Sequence, residues 1–357
     1  MLSEIGSNFC DYCLENKQGI RYFFWNGLEY NKKYFKSGRN AIKALCRIVK
    51  EKDKRVLIPA YTCETVIAPF LDEGWEVIYY RIKKDLTIDE NNFVEIFREK
   101  KPSIVFIHSY FGFDTVQNID VLLDCKKSGA IIVEDMTQSL FSEHHLSCAD
   151  YYVTSFRKFL AIPDGGALIS ENSLPNFPIQ KSDESIKKTA LEAFRLKSEY
   201  IKEKKNVRKA DFREKYIELN ALISNNENLS SMSPISEDIL NACEPEKLGR
   251  ARRKNYHTLY NELQKQREVQ SVLGDIADGC VPLYLPIYIE NRKELQSFLA
   301  SKDIYCPVIW PKPSQVKETD EDTTYIYDHI LCIPIDQRYN ADDMIRIAST
   351  IRAFYEG

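Results

Sequence analysis

Residues 150–168 read DYYVTSFRKFLAIPDGGAL. The run YYVTS predicts a buried strand, and Lys158 follows its last residue, Ser155, by three positions. In an open sheet of parallel strands, ligands bind beyond the carboxyl ends of the strands. A half-buried lysine at such an edge has a lowered pKa and can attack a carbonyl carbon. A solvated loop lysine is the alternative, so Lys158 needs support from other segments.

A second segment, residues 130–140, reads AIIVEDMTQSL. Its apolar run predicts a strand that ends in the acidic pair Glu134 and Asp135. A carboxylate at the carboxyl end of a strand can pair with a protonated pyridine nitrogen, which keeps an aromatic cofactor ring able to accept electrons. The same acid could instead cap the next helix, and this segment alone does not separate the two interpretations.

A third segment, residues 34–45, reads YFKSGRNAIKAL and predicts a helix that begins near Asn40. The free backbone N–H groups and the dipole of a helix start attract anions, and a glycine such as Gly38 lets a phosphate approach the backbone closely. Asparagine after glycine is also ordinary sequence for the start of a helix, so this segment is a weak signal alone.

Helices and strands alternate around these segments. The predicted strands are Arg55–Pro59, Glu76–Tyr80, Ser103–His108, Ala130–Glu134 and Tyr151–Ser155, and the predicted helices are Asn40–Lys50, Thr62–Leu71, Asn92–Glu99 and Val116–Lys127. Strands that are apolar on both faces are typical of a parallel sheet covered by helices on both sides. The pattern therefore predicts an α/β fold.

The remaining sequence predicts a smaller second unit. Residues 181–220 are rich in Lys, Glu and Arg and predict long solvated helices. Residues 235–264 predict one long connecting helix, followed by a strand in VPLYLPIYI, a helix in RKELQSFLASK, a strand in YCPVIW and a final helix over 341–354. We therefore expect a large domain over residues 1–235, with an N-terminal arm over 1–36, and a small C-terminal domain over 236–357.

Composition narrows the class of protein. The chain has 357 residues, a net charge of −4 and ten scattered cysteines. The absence of a basic excess argues against nucleic acid or an anionic membrane as a partner, and we expect neither. No apolar run reaches the roughly 20 residues of a membrane span, and no signal peptide is evident. We therefore expect a cytoplasmic protein with reduced thiols and no metal; the lone pair Cys10 and Cys13 is a poor zinc site.

The order of the three segments is that of fold type I enzymes that use pyridoxal 5'-phosphate (PLP). The chain resembles the DegT/StrS family of sugar-nucleotide aminotransferases. The resemblance rests on SGRNAIKAL, LIPAYTCETVIAPF, FIHSYFG, VEDMTQSL and SFRKFLAIPDGGAL. It implies a PLP-dependent transferase fold, with a mostly parallel seven-stranded sheet between the helices of the large domain and a small C-terminal α/β domain.

The resemblance also implies roles for residues that match the family's motifs. Lys158 matches the lysine that carries PLP, and Asp135 matches the partner of its pyridine nitrogen. Gln138 matches the glutamine beside the phenolic oxygen of the ring, and His108 is expected on that oxygen side. Ser155 matches a serine that binds the cofactor phosphate.

Three positions depart from the family pattern. Gly38-Arg39 stands where the family usually has Gly-Thr or Gly-Ser against the phosphate, so the Arg39 guanidinium could reach the phosphate or an acidic substrate. Cys63 stands where an aromatic residue usually stacks on the ring, and Tyr61 or Tyr110 could take over that face. The sequence after Lys158 is PDGG, at 163–166, rather than the usual GEGG.

The implied activity is amino transfer from an amino acid, glutamate by resemblance, to a keto-sugar nucleotide in polysaccharide biosynthesis. The family also implies a homodimer. Two alternatives remain open: a PLP-dependent sugar dehydratase and a PLP-binding homologue without catalysis. Lys158 favours amino transfer, because some dehydrating relatives have histidine at that position. Trp310 is expected in the core or at the substrate entrance.

Overall fold

The computed structural model describes residues 4–10, 23, 25, 30–49, 53–203, 207–225 and 228–356. Its strands, in chain order, are β1 (Asn31–Phe35), β2 (Arg55–Pro59), β3 (Glu76–Tyr80), β4 (Ile104–His108), β5 (Ile131–Asp135), β6 (Tyr151–Ser155), β7 (Gly166–Ser170), β8 (Gln270–Ser271), β9 (Tyr284–Tyr288) and β10 (Ile330–Pro334). Its α-helices are α1 (Gly38–Ile48), α2 (Glu64–Asp72), α3 (Glu90–Lys100), α4 (Ile119–Lys127), α5 (Glu184–Glu203), α6 (Lys209–Ser224), α7 (Pro234–Ala242), α8 (Pro245–Leu263), α9 (Arg292–Ser301), α10 (Glu321–His329) and α11 (Ala341–Glu356). Short 3-10 turns follow β4 and β6, at Tyr110–Gly112 and Phe156–Lys158.

Contacts divide the chain into two compact units. The first unit takes Met1–Ser7, Lys50–Asp150 and Glu246–Gly357, and the second takes Asn8–Val49 and Tyr151–Pro245. The main sheet has seven strands among the described residues and is mostly parallel, which confirms the predicted fold class. The domain boundary near residue 235 stays a prediction.

The first unit contains the parallel part of the main sheet, in the order β3-β2-β4-β5. Every side chain of β4 is buried, as expected for an apolar strand covered on both faces. The register pairs His108 at the end of β4 with Asp135 at the end of β5. The sheet therefore places the imidazole and the carboxylate side by side at its carboxyl edge.

In the second unit, β1, β7 and β6 form an antiparallel ladder. Gly166, at the start of β7, lies between Phe35 on β1 and Ser155 on β6. Helix α1 begins three residues after Phe35 and is capped by Ser37, whose side chain accepts a hydrogen bond from the backbone N–H of Asn40. The strand β1 was not predicted, because its sequence NKKYF is polar along most of its length.

The charged segment that we expected to form long solvated helices forms α5 and α6, which share a buried apolar face. This face consists of Ile186, Ala190, Ala193, Phe194, Phe212, Tyr216, Leu219 and Ile223. The apolar residues recur at helical spacing within the charge run, so each helix is amphipathic. The two helices were therefore predicted, but their shared buried face was not.

The C-terminal part of the first unit packs α8, α9 and α11 around an antiparallel sheet in the order β10-β9-β8. The single helix predicted over 235–264 is two helices, because Pro245 cannot extend a preceding helix and instead begins α8. The segment YCPVIW is not a strand, whereas the strand β10 and the helix α10 before it were not predicted. No helix in the described ranges is long and apolar enough to cross a membrane.

Candidate active site

The carboxyl edge of the parallel strands in the first unit carries a buried imidazole–carboxylate pair. The Nδ1 atom of His108 lies 3.1 Å from Oδ2 of Asp135, and the two side chains are only 4% and 8% exposed. The other carboxylate oxygen, Oδ1, accepts the backbone N–H of Thr137 at 2.9 Å. Asp135 is therefore oriented by a neighbour on each oxygen.

His108 also has a second partner on its far side. Its Nε2 atom lies 2.8 Å from the hydroxyl oxygen of Thr62, in the loop after β2. The backbone N–H of Thr62 donates to the hydroxyl of Tyr327 at 3.0 Å. The structure thus brings His108 onto the carboxylate of Asp135, while its expected place on the oxygen side of a cofactor ring stays a prediction.

Gln138 lies three residues after Asp135, in the turn that follows β5, and is 5% exposed. Its side-chain oxygen accepts the backbone N–H of Phe111 at 2.8 Å. Its amide nitrogen has no hydrogen-bond partner among the described residues. A donor held in this way suits an acceptor such as a phenolic oxygen.

Aromatic side chains surround the same edge. The ring of Trp310 lies 5.4 Å from that of Tyr61 and 5.5 Å from that of His108, measured between centroids. Tyr61 and Tyr110 are buried, whereas Trp310 is half-buried. Burial raises the pKa of the Tyr61 phenol, and its hydroxyl has no hydrogen-bond partner among the described residues. Cys63 is half-buried at the start of α2, with its sulfur 3.0 Å from the hydroxyl of Thr65.

The second unit holds the predicted anion-binding segment. A Cβ atom at Gly38 would lie 3.3 Å from the carbonyl oxygen of Thr154 and 3.4 Å from the Cβ of Ser155. A Cβ atom at Gly166 would lie only 2.4 Å from the carbonyl carbon of Ser37 and 2.5 Å from the backbone nitrogen of Gly38. The two glycines therefore let β6 and β7 approach the start of α1, and the structure brings Gly38 and Ser155 together, while their binding of a phosphate stays a prediction. The first N–H groups of a helix have no acceptor within it, so they can bind a phosphate.

Three cationic side chains near this segment reach the last turn of α6 and its cap. Arg39 donates to the hydroxyl of Ser224 at 3.0 Å, Arg157 donates to the side chain of Asn220 at 2.9 Å, and Lys36 donates to a backbone carbonyl just beyond the helix. Burial and the proximity of Arg39 lower the pKa of Arg157 to about 10 and also lower that of Lys36. Arg39 thus has a protein partner, and its contact with a phosphate stays a prediction.

Lys158 ends the 3-10 turn that follows β6. The turn buries Phe156 completely and leaves Lys158 exposed, so the expectation of a half-buried lysine was wrong. The physical reason is the tight turn, which buries Phe156 and leaves Lys158 at the surface. An exposed amine is accessible to a carbonyl carbon.

Asp164 explains why the loop after Lys158 reads PDGG, at 163–166, rather than the usual GEGG. Its carboxylate is fully buried and accepts hydrogen bonds from the backbone N–H and the hydroxyl of Ser233, at the start of α7, and from the hydroxyl of Ser236. Burial raises the pKa of Asp164, while these hydrogen bonds oppose that rise. Asp164 therefore anchors the loop after Lys158 to a helix start.

The comparisons with known proteins decide the family. The family model described as the DegT/DnrJ/EryC1/StrS aminotransferase family matches residues 34–352. The chain belongs to this family. Its members are PLP-dependent aminotransferases, and PLP is therefore the cofactor of this enzyme.

Solved structures of other DegT/DnrJ/EryC1/StrS aminotransferases share the fold. One from Brucella abortus is 16% identical, with a TM-score of 0.65, over 92% of this chain and 86% of that one. PseC from Helicobacter pylori is 15% identical, with a TM-score of 0.66, over 91% of this chain and 87% of that one. NtdA from Bacillus subtilis, solved with bound pyridoxamine phosphate (PMP), is 15% identical, with a TM-score of 0.64, over 91% of this chain and 73% of that one. No curated protein matches the sequence.

The residues of this DegT-family chain fit PLP within each unit. In the first unit, the buried carboxylate of Asp135 suits a pyridine nitrogen, and the Gln138 amide nitrogen, which has no partner among the described residues, suits a phenolic oxygen. In the second unit, the start of α1 suits a phosphate because Gly38 and Gly166 have no side chains there. The exposed Lys158 suits the carbonyl carbon of PLP. No group of three or more His, Cys, Asp or Glu side chains in the described ranges could hold a metal ion, and Cys13 of the predicted CxxC pair lies outside those ranges.

Sequence reasoning missed the residues that support this DegT-family site. Thr62 and Tyr327 reach Asp135 through His108, whereas Gly166 packs directly against Ser37 and Gly38 of the phosphate segment. Thr62 and Gly166 lie within the quoted motifs, so their positions were visible although their contacts were not. Tyr327 lies in a helix that was not predicted, and no sequence signal identified it.

Proposed function

We propose that this aminotransferase moves an amino group from glutamate to a keto-sugar nucleotide, with Lys158 as the residue that carries PLP. The observation that supports this proposal most strongly is the buried pair His108–Asp135 at the ends of two parallel strands. Asp135 is an oriented carboxylate at the sheet edge where open α/β proteins bind ligands. The family's motif assigns the same residue to the pyridine nitrogen.

Each residue has a distinct role in the proposed mechanism. PLP, when bound, supplies an electron sink for the electron pair of the broken C–H bond. Lys158 removes the proton from the carbon of the amino donor with its Nζ and returns it at the second carbon, as general base and then general acid. Asp135 holds a proton on the pyridine nitrogen, and Gln138 donates to the phenolic oxygen.

The phosphate is proposed to bind in the second unit. The family motif assigns two groups at the start of α1 to the phosphate. They are the backbone of Gly38 and the hydroxyl of Ser155, which lie close together. Arg39 adds a charge-assisted hydrogen bond when its guanidinium turns from Ser224 to the phosphate. Cys63 is proposed to lie against the ring, because it is more accessible than Tyr61 and Tyr110.

The sugar acceptor rests on relatives rather than on a residue contact. PseC is an aminotransferase involved in the biosynthesis of pseudoaminic acid, and another structural neighbour is the sugar aminotransferase CalS13 from Micromonospora echinospora. We propose a keto-sugar acceptor for this chain by the same family membership, with a role in polysaccharide biosynthesis in the cytoplasm. We propose that the half-buried Trp310 contacts that acceptor, because aromatic rings stack on sugars and bases.

A half-reaction tests the proposed role of Asp135. We expect Asp135→Ala to retain some PLP but to lose turnover with glutamate by about a hundredfold or more, because the ring nitrogen loses its oriented charge. Asp124→Ala removes an exposed carboxylate on α4 that, among the described residues, pairs only with the surface residue Lys127, and it serves as the matched control. Absorbance after glutamate addition reports the half-reaction. Parental turnover in Asp135→Ala would show that the role is wrong.

We also propose that the enzyme is a homodimer, as the family implies. Light scattering of the purified protein at low concentration measures the mass. A dimer at all active concentrations is the expected result, and a fully active monomer would refute it.

A further inference from the structure

The contacts around His108 determine which of its ring nitrogens carries a proton. A carboxylate oxygen can only accept, so Nδ1, 3.1 Å from Oδ2 of Asp135, carries a hydrogen. The remaining question is the state of Nε2. That nitrogen faces the Thr62 hydroxyl at 2.8 Å in a fully buried setting.

The hydroxyl of Thr62 favours an unprotonated Nε2. Among the described residues, His108 is the only partner of this hydroxyl. If Nε2 is unprotonated, the hydroxyl donates to it and both groups are satisfied. If Nε2 is protonated, the imidazole donates instead, and the buried hydroxyl proton has no acceptor in the described part of the chain. Leaving a buried donor unpaired costs free energy, so the neutral Nδ1–H form is preferred.

A residue in the C-terminal part of the first unit, Tyr327, fixes the position of Thr62 through hydrogen bonds. The backbone N–H of Thr62 donates to the hydroxyl of Tyr327 at 3.0 Å. That hydroxyl lies 2.9 Å from the carbonyl of Ala60 and 3.1 Å from that of Thr62, so it donates to the same loop from which it accepts. Burial raises the pKa of Tyr327, which keeps this phenol protonated. The hydrogen bonds of Tyr327 therefore hold the loop after β2 in place, and they fix the Thr62 side chain against the imidazole of His108.

We propose that Thr62 is a positioning residue that holds His108 in the neutral Nδ1–H form. A neutral imidazole orients the carboxylate of Asp135 without cancelling its charge. The full negative charge then remains for a protonated pyridine nitrogen. The effect of Thr62 on the cofactor rests on the proposed role of Asp135. The protonation of the two His108 ring nitrogens does not depend on that role.

Two matched variants separate this role from simple packing. Thr62→Val keeps the shape of the side chain and removes its hydroxyl, and Thr62→Ser keeps the hydroxyl. Thr115→Val is the control, because Thr115 is also buried and also contacts His108, but its hydroxyl donates to the backbone carbonyl at 2.8 Å rather than to the ring. A purely structural role predicts similar effects from Thr62→Val and Thr115→Val.

The first measurement uses the full-length protein without PLP. Nitrogen-15 NMR of labelled histidine distinguishes protonated from unprotonated ring nitrogens. In the parent at neutral pH we expect one protonated Nδ1 and one unprotonated Nε2 for His108. Thr62→Val should lose this single state, Thr62→Ser should restore it, and Thr115→Val should retain it. A parent with a protonated Nε2, or a Thr62→Val spectrum identical to the parent's, would overturn the proposal.

The second measurement uses the same proteins with PLP. Thr62→Val should bind the cofactor about tenfold more weakly, which corresponds to the loss of one buried hydrogen bond. The pH at which the visible absorbance of the bound cofactor changes should also move in Thr62→Val and stay in place in Thr115→Val. If the NMR result holds and this midpoint does not move, the link to the cofactor is wrong. If the parent binds no PLP at all, the proposed function fails and the NMR result stands alone.

Discussion

Gly166→Ala is the substitution for which the structure predicts the clearest effect on the phosphate segment. The added methyl carbon would lie 2.4 Å from the carbonyl carbon of Ser37 and 2.5 Å from the nitrogen of Gly38, both backbone atoms. Ordinary van der Waals contact begins at 3.4 Å, so the start of α1 and β7 must separate by about 1 Å. Because Gly166 pairs with Phe35 on one side and Ser155 on the other, this separation disturbs both neighbours.

We expect two measurable consequences of Gly166→Ala. Overpacking of this kind costs about 1–3 kcal/mol in the free energy of unfolding. A displacement of about 1 Å in groups that hold a ligand costs roughly a hundredfold in function, so PLP affinity should fall by a factor between about ten and a hundred. Urea denaturation measures the first quantity, and titration of the protein with PLP, followed by absorbance, measures the second.

Gly274→Ala is the matched control for this prediction. A Cβ atom at Gly274 would meet nothing within 4 Å, and its backbone conformation is open to any residue. The substitution should leave PLP affinity unchanged and stabilise the protein slightly, by up to about 1 kcal/mol. If Gly166→Ala bound PLP as tightly as the parent and unfolded at the same urea concentration, the close packing of β7 on the helix start would be irrelevant to cofactor binding.

Two further substitutions test the neighbouring residues. Arg39→Ala should weaken PLP retention during dialysis by about ten- to a hundredfold through the loss of a charged hydrogen bond, and Arg39→Ser should recover part of it. Ser224→Ala should have no effect on retention, and unchanged retention in Arg39→Ala would show that the guanidinium binds only α6. Asp164→Ala should lower the free energy of unfolding by about 3 kcal/mol, since it leaves the buried Ser236 hydroxyl and the Ser233 backbone N–H without their acceptor, although the Ser233 hydroxyl can still donate to Ser236. Asp164→Asn should cost less in the same urea denaturation, and equal stability of the Ala variant and the parent would exclude the anchoring role.

The parallel part of the sheet could be predicted because its strands are short, apolar and separated by helices. The bounds of β2, β3 and β6 agree with the prediction, and α3 and β4 differ by only one or two residues. The start of α1 was also recognisable, since Ser37 and Gly38 are residues that begin helices. These features depend on local sequence, so they appear in the sequence without knowledge of distant contacts.

The unpredicted parts depend on partners far away in the sequence. The strand β1 is polar and forms only because it pairs with β7, more than a hundred residues later. The contact of Thr62 with Tyr327 joins residues that are 265 positions apart. A sequence pattern describes one element at a time, and it does not show which distant side chain completes a hydrogen bond.

The candidate site was therefore predictable as a set of residue types and not as a set of contacts. Asp135, Gln138 and Ser155 were named from motif positions. The imidazole–carboxylate pair required the register of β4 on β5, which aligns His108 with Asp135. The exposure of Lys158 required the tight turn after β6, which no periodic pattern indicates.

The proposed mechanism depends on Lys158 as the residue that carries PLP. Borohydride reduction of the protein with PLP bound, followed by proteolysis and mass spectrometry of the labelled peptide, tests it most directly. We predict that the label lies on Lys158, within the peptide that follows β6, and that Lys158→Ala prevents labelling while the protein remains folded. Label on any other lysine of the chain would contradict the assignment.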